Sequence, residues 1–155
     1  SREVSTMKTI GSHYNESDFY KFLELIETSK VSPDLMPLYA LTIGNIEIFE
    51  LCISRRTKIN LKNIKILTMD ISNKGFRAIY EQAKLPEELI DITEILLESN
   101  REMHGKLNNC DIFLSKESAN NLIADFQKKV ELAQLTNAKI DNPDYIVSLI
   151  EKHAT

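Results

Sequence analysis

The segment GNIEIFELCISRR, residues 44–56, decides the fold class of this chain. On a helix that begins after Asn45, its Glu47, Glu50 and Ser54 form one narrow polar stripe, and apolar residues cover most of the remaining circumference. A helix that is apolar on most of its circumference is buried between neighbouring elements. The segment therefore predicts an interior helix within a multilayered helical stack.

The rest of the chain has the same helical character. Of its 155 residues, 43% are hydrophobic and 27% are charged, and there are only 4 glycines and 4 prolines. Apolar residues recur at helical spacing in about eight segments, and no segment gives a convincing strand pattern. Short turns join the helices between residues 33 and 100, which favours antiparallel packing of neighbours. We predict an all-α fold of stacked antiparallel helix pairs, a short α-solenoid, with a longer C-terminal helix.

The same pattern predicts the domain organisation. Residues 1–14 mix small and polar residues without a period, which is typical of a tail or linker. The length suits one domain, and we place a single helical domain over 15–153. It divides into a helix-pair stack over 15–103 and C-terminal helices over 115–153, with a less ordered connection over 104–114.

The two cysteines, Cys52 and Cys110, do not form a disulfide-rich pattern, so we expect reduced thiols and a cytoplasmic protein. Cys52 falls among the apolar residues of its helix, which predicts a buried, inert thiol rather than a nucleophile. No apolar run approaches the length of a membrane span, and no signal peptide is visible. The chain opens on Ser1 rather than Met, as a fragment of a longer protein would.

Charge is the least random feature of the chain. Eight basic residues and two acidic ones lie between Arg55 and Lys84, and an acidic ridge spaced by three or four residues follows from Glu87 to Glu102. A bipolar surface of this kind orients a protein partner, whereas the alternative is two solvated helix faces. The partner-binding residues that we predict are Arg55, Arg56, Lys58 and Lys62 on one side and Glu87, Asp91, Glu94 and Glu98 on the other.

Nucleic-acid binding is the alternative interpretation of the basic stretch, residues 55–84. Within it, LKNIKILTMDISNKGFRAIYEQA (61–83) is compatible with a helix-turn-helix whose second helix carries Lys74 and Arg77 toward a groove. The net charge of −4 disfavours electrostatic capture of nucleic acid by the chain as a whole. A protein partner is therefore the preferred hypothesis.

Signatures of enzymes are missing from the sequence, which contains no phosphate-binding glycine-rich loop, no GxSxG and no HExxH. His104 and Cys110 are too few to predict a metal site, and we predict neither a metal nor a cofactor. A phosphotransfer or enzymatic role for His104 remains as a third hypothesis, and it requires His104 to be exposed in a cleft.

Two resemblances involve the same region. Residues 44–63 are similar to the second half of an ankyrin repeat, although the TPLH-type opening is missing. Residues 38–90 resemble an uncharacterised bacterial family of helical, HEAT-like proteins catalogued as a domain of unknown function. Asn45 stands where that family usually has Asp, and both residues cap helices. The residues that carry this second resemblance are Leu41, Gly44, Phe49, Gly75, Tyr80, Ala83, Leu85 and Pro86.

The second resemblance implies a stacked helical fold and no catalytic residues. Stacks of helices present extended surfaces and usually work by binding. We therefore expect an intracellular protein–protein interaction or scaffolding module rather than an enzyme, and the pattern selects no oligomeric state. Charge reversal at Arg55 and Arg56 is expected to weaken partner binding without lowering thermal stability by much.

Overall fold

The structure, a computed structural model, describes residues 16–155, and its eight α-helices in this range confirm the predicted all-α fold class. The predicted tail over 1–14 lies outside the described residues. Two 3₁₀ turns, Pro33–Leu35 and Glu87–Leu89, also occur. In chain order the helices are α1 (Glu16–Thr28), α2 (Met36–Thr42), α3 (Ile46–Thr57), α4 (Leu61–Thr68), α5 (Lys74–Gln82), α6 (Ile90–Met103), α7 (Lys116–Leu135) and α8 (Pro143–His153).

The helices group into two compact units, between which the chain passes three times. Consecutive helices pack closely in each unit, α4 on α5 in the first and α7 on α8 in the second. The predicted division of the chain near residues 104–114 stays a prediction. The first unit contains residues 16–37 and 47–90, and the second contains residues 38–46 and 91–155.

Helix α3 is buried along most of its length, as the quoted segment predicts, but its polar stripe does not face water. Only Glu47 is exposed, whereas Glu50 and Ser54 are buried. The Glu50 carboxylate accepts a hydrogen bond from Lys65 Nζ of α4 at 2.7 Å, and the Ser54 hydroxyl donates to the carbonyl oxygen of Ile59. Buried polar groups need hydrogen-bond partners. Glu50 and Ser54 find theirs on α4 and on the segment that leads to it.

In the second unit, Gly44 ends α2 with φ of +75°, a conformation that favours glycine. Its N–H donates to Leu41 O at 3.1 Å and the N–H of Asn45 donates to Ala40 O at 3.0 Å, which is the Schellman pattern. A Cβ on Gly44 would lie 2.5 Å from Leu114 Cδ2. Gly44 is therefore required both by the turn and by the close approach of Leu114.

The connection between α6 and α7 contains a short antiparallel ladder of β1 (Asn109–Cys110) and β2 (Phe113–Leu114). The sequence shows no convincing strand pattern here, and the structure corrects that expectation for this connection. Asp111 adopts a φ of +64°, which Asp tolerates, and this permits the tight turn between the two strands. Ile112, the other residue of the turn, is buried. Two-residue strands are too short to show the alternation of a longer strand. The side chain of Cys110 lies outside the described part of the structure.

Helix α7 has 20 residues and is the longest described helix, as predicted for the C-terminal element. Ser115 caps it by accepting a hydrogen bond from the N–H of Ser118 at 3.1 Å. The end of α8 is anchored through its His153, whose Nε2 lies 2.6 Å from the Tyr39 hydroxyl. Over residues 16–155, none of the helices has both the length and the apolar content to cross a membrane.

Candidate interaction surface

Arg56, which the sequence assigns to a partner surface, makes several contacts within the first unit. Its Nε donates to Ala83 O at 2.8 Å and its Nη2 pairs with Asp34 Oδ1 at 3.0 Å. Longer contacts of 3.4 Å reach Pro33 O and Lys84 O. The carbonyl groups at the end of a helix have no intrahelical donors, so Arg56 serves as a cap for α5. It thereby joins α3, the end of α5 and the first 3₁₀ turn.

The other three predicted basic residues have different surroundings. Arg55 is half-buried near the end of α3 and already makes a contact within the chain. Lys58 is exposed directly after α3, where it adopts a left-handed φ of +65°. Lys62 is exposed in the first turn of α4. Lys58 and Lys62 are therefore the members of this set that present their charge to solvent.

The predicted acidic residues do not form one uniform exposed ridge. Glu87 is exposed in the second 3₁₀ turn and belongs to the first unit. Asp91, Glu94 and Glu98 are half-buried on α6 in the second unit, and each takes part in an interaction within the chain. Glu102, which extends the ridge, is paired with Lys129 of α7. Part of the acidic ridge is therefore used in contacts within the chain.

A surface that charge counting does not reveal lies where α4 meets α5. Ile66, Met69 and Ile71 are exposed to 61%, 66% and 98% of their full area. Single exposed apolar residues are ordinary, but three within six positions mark a surface that is suited to contact. The basic residues Lys62, Lys74 and Arg77 are exposed in the same stretch. We define the basic–apolar corner as Lys62, Ile66, Met69, Ile71, Lys74 and Arg77.

Helical spacing explains how α4 contributes to this surface. Leu61 and Ile64 are buried and face the interior of the first unit. Lys62, Ile66 and Met69 follow at i, i+4 and i+7, so they share the outward face. A helical wheel of α4 with Leu61 and Ile64 placed inward would have found this face from the sequence alone.

The turn that carries Ile71 is held by hydrogen bonds. Asp70 accepts from the Ser72 hydroxyl at 2.7 Å and from the Ser72 N–H at 3.1 Å. These bonds hold the pKa of the Asp70 carboxyl below its usual value, so Asp70 is ionised at neutral pH. The N–H of Asn73 also donates to Asp70 O at 3.0 Å. Ile71 is therefore presented to solvent by a hydrogen-bonded turn.

Gly75 fixes the approach of α5 to α4 at the base of this corner. A Cβ on Gly75 would lie 2.3 Å from the carbonyl oxygen of Leu67, far inside van der Waals contact. The two helices therefore approach to a distance that only glycine permits at this position. The outward residues of α4 and the basic start of α5 therefore lie on two helices that meet closely at this point.

The remaining candidate chemical groups give no comparable arrangement. Cys52 is 5% exposed, and burial raises the pKa of its thiol to about 12 although Arg55 and Arg56 act in the opposite direction. The predicted burial of the Cys52 thiol is thus confirmed. His104 is exposed in the turn after α6. In the part of the chain that the structure describes, no group of three or more His, Cys, Asp and Glu is placed to hold a metal ion.

Comparison with known proteins returned no match, either to a family model, to a curated protein or to a solved structure. The resemblance to bacterial helical, HEAT-like proteins therefore stays a prediction. Among the chain's own residues, the basic–apolar corner combines exposed apolar area with charge of one dominant sign.

Proposed function

We propose that this chain is a protein–protein interaction module whose basic–apolar corner binds an acidic protein surface that also exposes apolar side chains. The observation that carries the proposal is the exposure of Ile66, Met69 and Ile71 beside three basic side chains. Burial of apolar area on binding contributes roughly 25 cal/mol per Å² before the costs of association. The basic side chains would select acidic partners and speed their encounter.

Because Arg56 makes contacts within the first unit, charge reversal at this residue would affect folding as well as binding. Loss of its bonds to Ala83 and Asp34 is expected to destabilise the first unit, so a binding defect at Arg56 would be ambiguous. Lys58 and Lys62 are better placed to contribute to a partner surface because they are exposed. In the predicted acidic set, Asp91, Glu94 and Glu98 are half-buried, whereas Glu87 is exposed. We assign the set no more than a supporting role in partner binding.

Nucleic-acid binding is the second candidate function, and the pairing of α4 with α5 favours it. Five residues, 69–73, connect the two helices, and the second helix begins with the exposed Lys74 and Arg77. Two features favour a protein partner instead. Ile71 is 98% exposed, and the ionised Asp70 beside it would repel phosphate. Binding to nucleic acid would weaken steeply with salt, whereas burial of apolar area would not.

The proposal includes a cellular setting and an absence of catalysis. We place the protein in the cytoplasm of a bacterium, on the cysteine pattern and the family resemblance given above. No catalytic step, metal or cofactor forms part of this proposal. A phosphotransfer role for His104 would require a cleft around a side chain that is exposed after α6.

To test this proposal, the protein is immobilised and its binding partners are captured with and without nuclease treatment. The captured proteins are identified by mass spectrometry. The test variant is Met69→Ser/Ile71→Ser, which removes apolar area from the corner and leaves its charges unchanged. The matched control is Leu132→Ser/Leu135→Ser, because these leucines are exposed to 54% and 75% on α7 of the second unit. We expect an acidic protein that survives nuclease, is retained by the control and is lost with the corner variant.

The captured protein would then be purified and titrated against the same three chains. We expect the corner variant to weaken binding by about tenfold or more, which corresponds to about 1.4 kcal/mol. Equal binding by the corner variant and the control would refute the assignment of the surface. Recovery that disappears with nuclease would instead support nucleic-acid binding.

A further inference from the structure

The exposed side of α5 places its charges against the helix dipole. Acidic residues stabilise the first turn of a helix, and basic residues stabilise its last turn. In α5 the order is reversed, because Lys74 and Arg77 lie in the first turn and Glu81 lies in the last. The stability of the helix itself therefore does not explain these charges, and a departure from local preference of this kind is expected at a functional surface.

Helical spacing places these charges on one side of α5. Lys74 and Glu81 are seven positions apart, which returns to nearly the same side of the helix about 10 Å further along its axis. Both side chains are exposed, whereas Phe76 and Ile79 are buried on the opposite side. Ala78, which is small, is exposed between the two charges. The outward face of α5 thus has a basic start, a small middle and an acidic end.

The acidic end extends beyond the helix. Glu87 and Glu88 are exposed in the second 3₁₀ turn, which follows α5 in the first unit. The Tyr80 hydroxyl of α5 donates to Pro86 O at 2.5 Å and so holds this turn to the helix. Acidic side chains are therefore gathered where α5 ends, while its start belongs to the basic–apolar corner.

Each end also contains one residue of opposite charge. The three basic side chains of the corner are accompanied by Asp70, and the three acidic side chains at the other end are accompanied by Lys84. Both ends therefore keep an excess of their own sign. Because Arg77 already makes a contact within the chain, we assign the pairing across a contact to Lys74.

We propose that this face binds a second copy of the chain, with the two α5 helices antiparallel about a two-fold axis between residues 77 and 78. The inference rests on the proposed function, because it takes the basic–apolar corner as a contact surface and names a second copy as its acidic partner. Every contact occurs twice about a two-fold axis, so Lys74 of each copy faces Glu81 of the other. The small side chain of Ala78 permits close approach at the axis, and Ile71, just before α5, loses exposed apolar area.

Sedimentation equilibrium of the full chain, from micromolar to millimolar concentration, measures the association. We expect a reversible dimer that weakens as salt is added, because the paired charges are exposed and are screened. Lys74→Glu and Glu81→Lys each replace two attractive pairs with two repulsive ones, so each is expected to weaken the dimer at least about tenfold. A chain that stays monomeric up to millimolar concentration would refute the proposal.

A mixture of the two variants tests the antiparallel register. In the mixed dimer, one copy is acidic at positions 74 and 81 and the other is basic at both, so both contacts are attractive again. We expect the mixture to dimerise at least about tenfold more tightly than either variant alone. Single variants that dimerise normally, or a mixture no tighter than its components, would overturn the assignment of this face.

Two controls make the same changes of net charge in the second unit. Lys128→Glu and Glu131→Lys alter exposed residues of α7 and should change dimerisation less than about twofold. Losses equal to those at α5 would assign the effect to net charge and contradict the proposal. Glu81→Lys should also leave the thermal unfolding temperature of the dilute chain unchanged or higher, because a basic residue suits the last turn of a helix.

The capture experiment separates this inference from the function on which it rests. A monomeric chain that captures a different acidic protein, and loses it with Met69→Ser/Ile71→Ser, would refute the second copy as partner and leave the proposed function standing. A dimer that follows the charge-reversal pattern, with no other protein captured, would support the second copy as the partner of the corner.

Discussion

Charged groups are usually exposed and apolar groups are usually buried, but two regions of the first unit show the opposite arrangement. Its interior holds Glu50, which is 2% exposed, and much of Arg56, each bonded to another element. Its corner between α4 and α5 presents Ile66 and Ile71 to solvent. The difference shows that a charged residue can be a structural link while an exposed apolar residue marks the surface that is available for contact.

Arg56→Ala is expected to have the largest effect on this comparison. It removes a 2.8 Å bond to Ala83 O and the ion pair with Asp34, and it leaves the last carbonyls of α5 without this cap. Hydrogen bonds to charged groups contribute about 1.5–3 kcal/mol each, so we expect the free energy of unfolding to fall by about 2–4 kcal/mol. Urea denaturation followed by circular dichroism measures the loss.

The control for Arg56 is Lys62→Ala, which removes the same charge from an exposed position on α4. Substitutions at exposed positions usually change stability by less than about 0.5 kcal/mol. If both variants lost the same stability, Arg56 would act only through the net charge of the chain. The distinction between a structural and an available charge would then fail.

Gly75→Ala is the next strongest change, and it tests the geometry beneath the corner. Helix propensity alone predicts that alanine stabilises α5 by about 1 kcal/mol. The approach of the new Cβ to within 2.3 Å of Leu67 O predicts instead a loss of about 1–3 kcal/mol, because backbone must move. Thermal unfolding of the variant decides between the two signs, and stabilisation would show that α4 and α5 do not meet as described.

Glu50→Ala is expected to cost less than Arg56→Ala although Glu50 is more deeply buried. Lys65, its partner, has a side chain that is 42% exposed and can return to water when the carboxylate is removed. We therefore expect a loss of about 1–2 kcal/mol, which comes largely from the space left behind. A double-mutant cycle with Lys65→Ala measures the coupling, and a value near zero would show that the ion pair adds nothing to the fold.

The sequence predicts the elements of the first unit better than it predicts their polar contacts. The apolar circumference of α3 follows from local periodicity, which is why its burial and that of Cys52 are confirmed. The burial of Glu50 does not follow, because it depends on Lys65 of the next helix. The partners of Arg56 lie 22 to 28 residues away along the chain, so no local pattern indicates them.

The basic–apolar corner is only partly predictable from the sequence. Charge counting identifies Lys62 and the basic stretch, whereas the exposed apolar residues carry no charge signal. With Leu61 and Ile64 facing inward, the 3.6-residue period places Ile66 on the opposite side of α4. The exposure of Ile71 depends on the turn formed by Asp70 and Ser72, which periodicity does not describe.

Ile71→Ser is expected to have the smallest effect on stability and the clearest effect on binding. Ile71 is 98% exposed, so its removal leaves no cavity, and the hydrogen bonds of Asp70 to Ser72 stay in place. The free energy of unfolding should change by less than about 0.5 kcal/mol, while affinity for the acidic partner falls by about tenfold. Denaturation and titration of the same preparation give both values. A variant that unfolds readily would show that Ile71 supports the fold, and a stable variant that binds normally would remove Ile71 from the proposed interface.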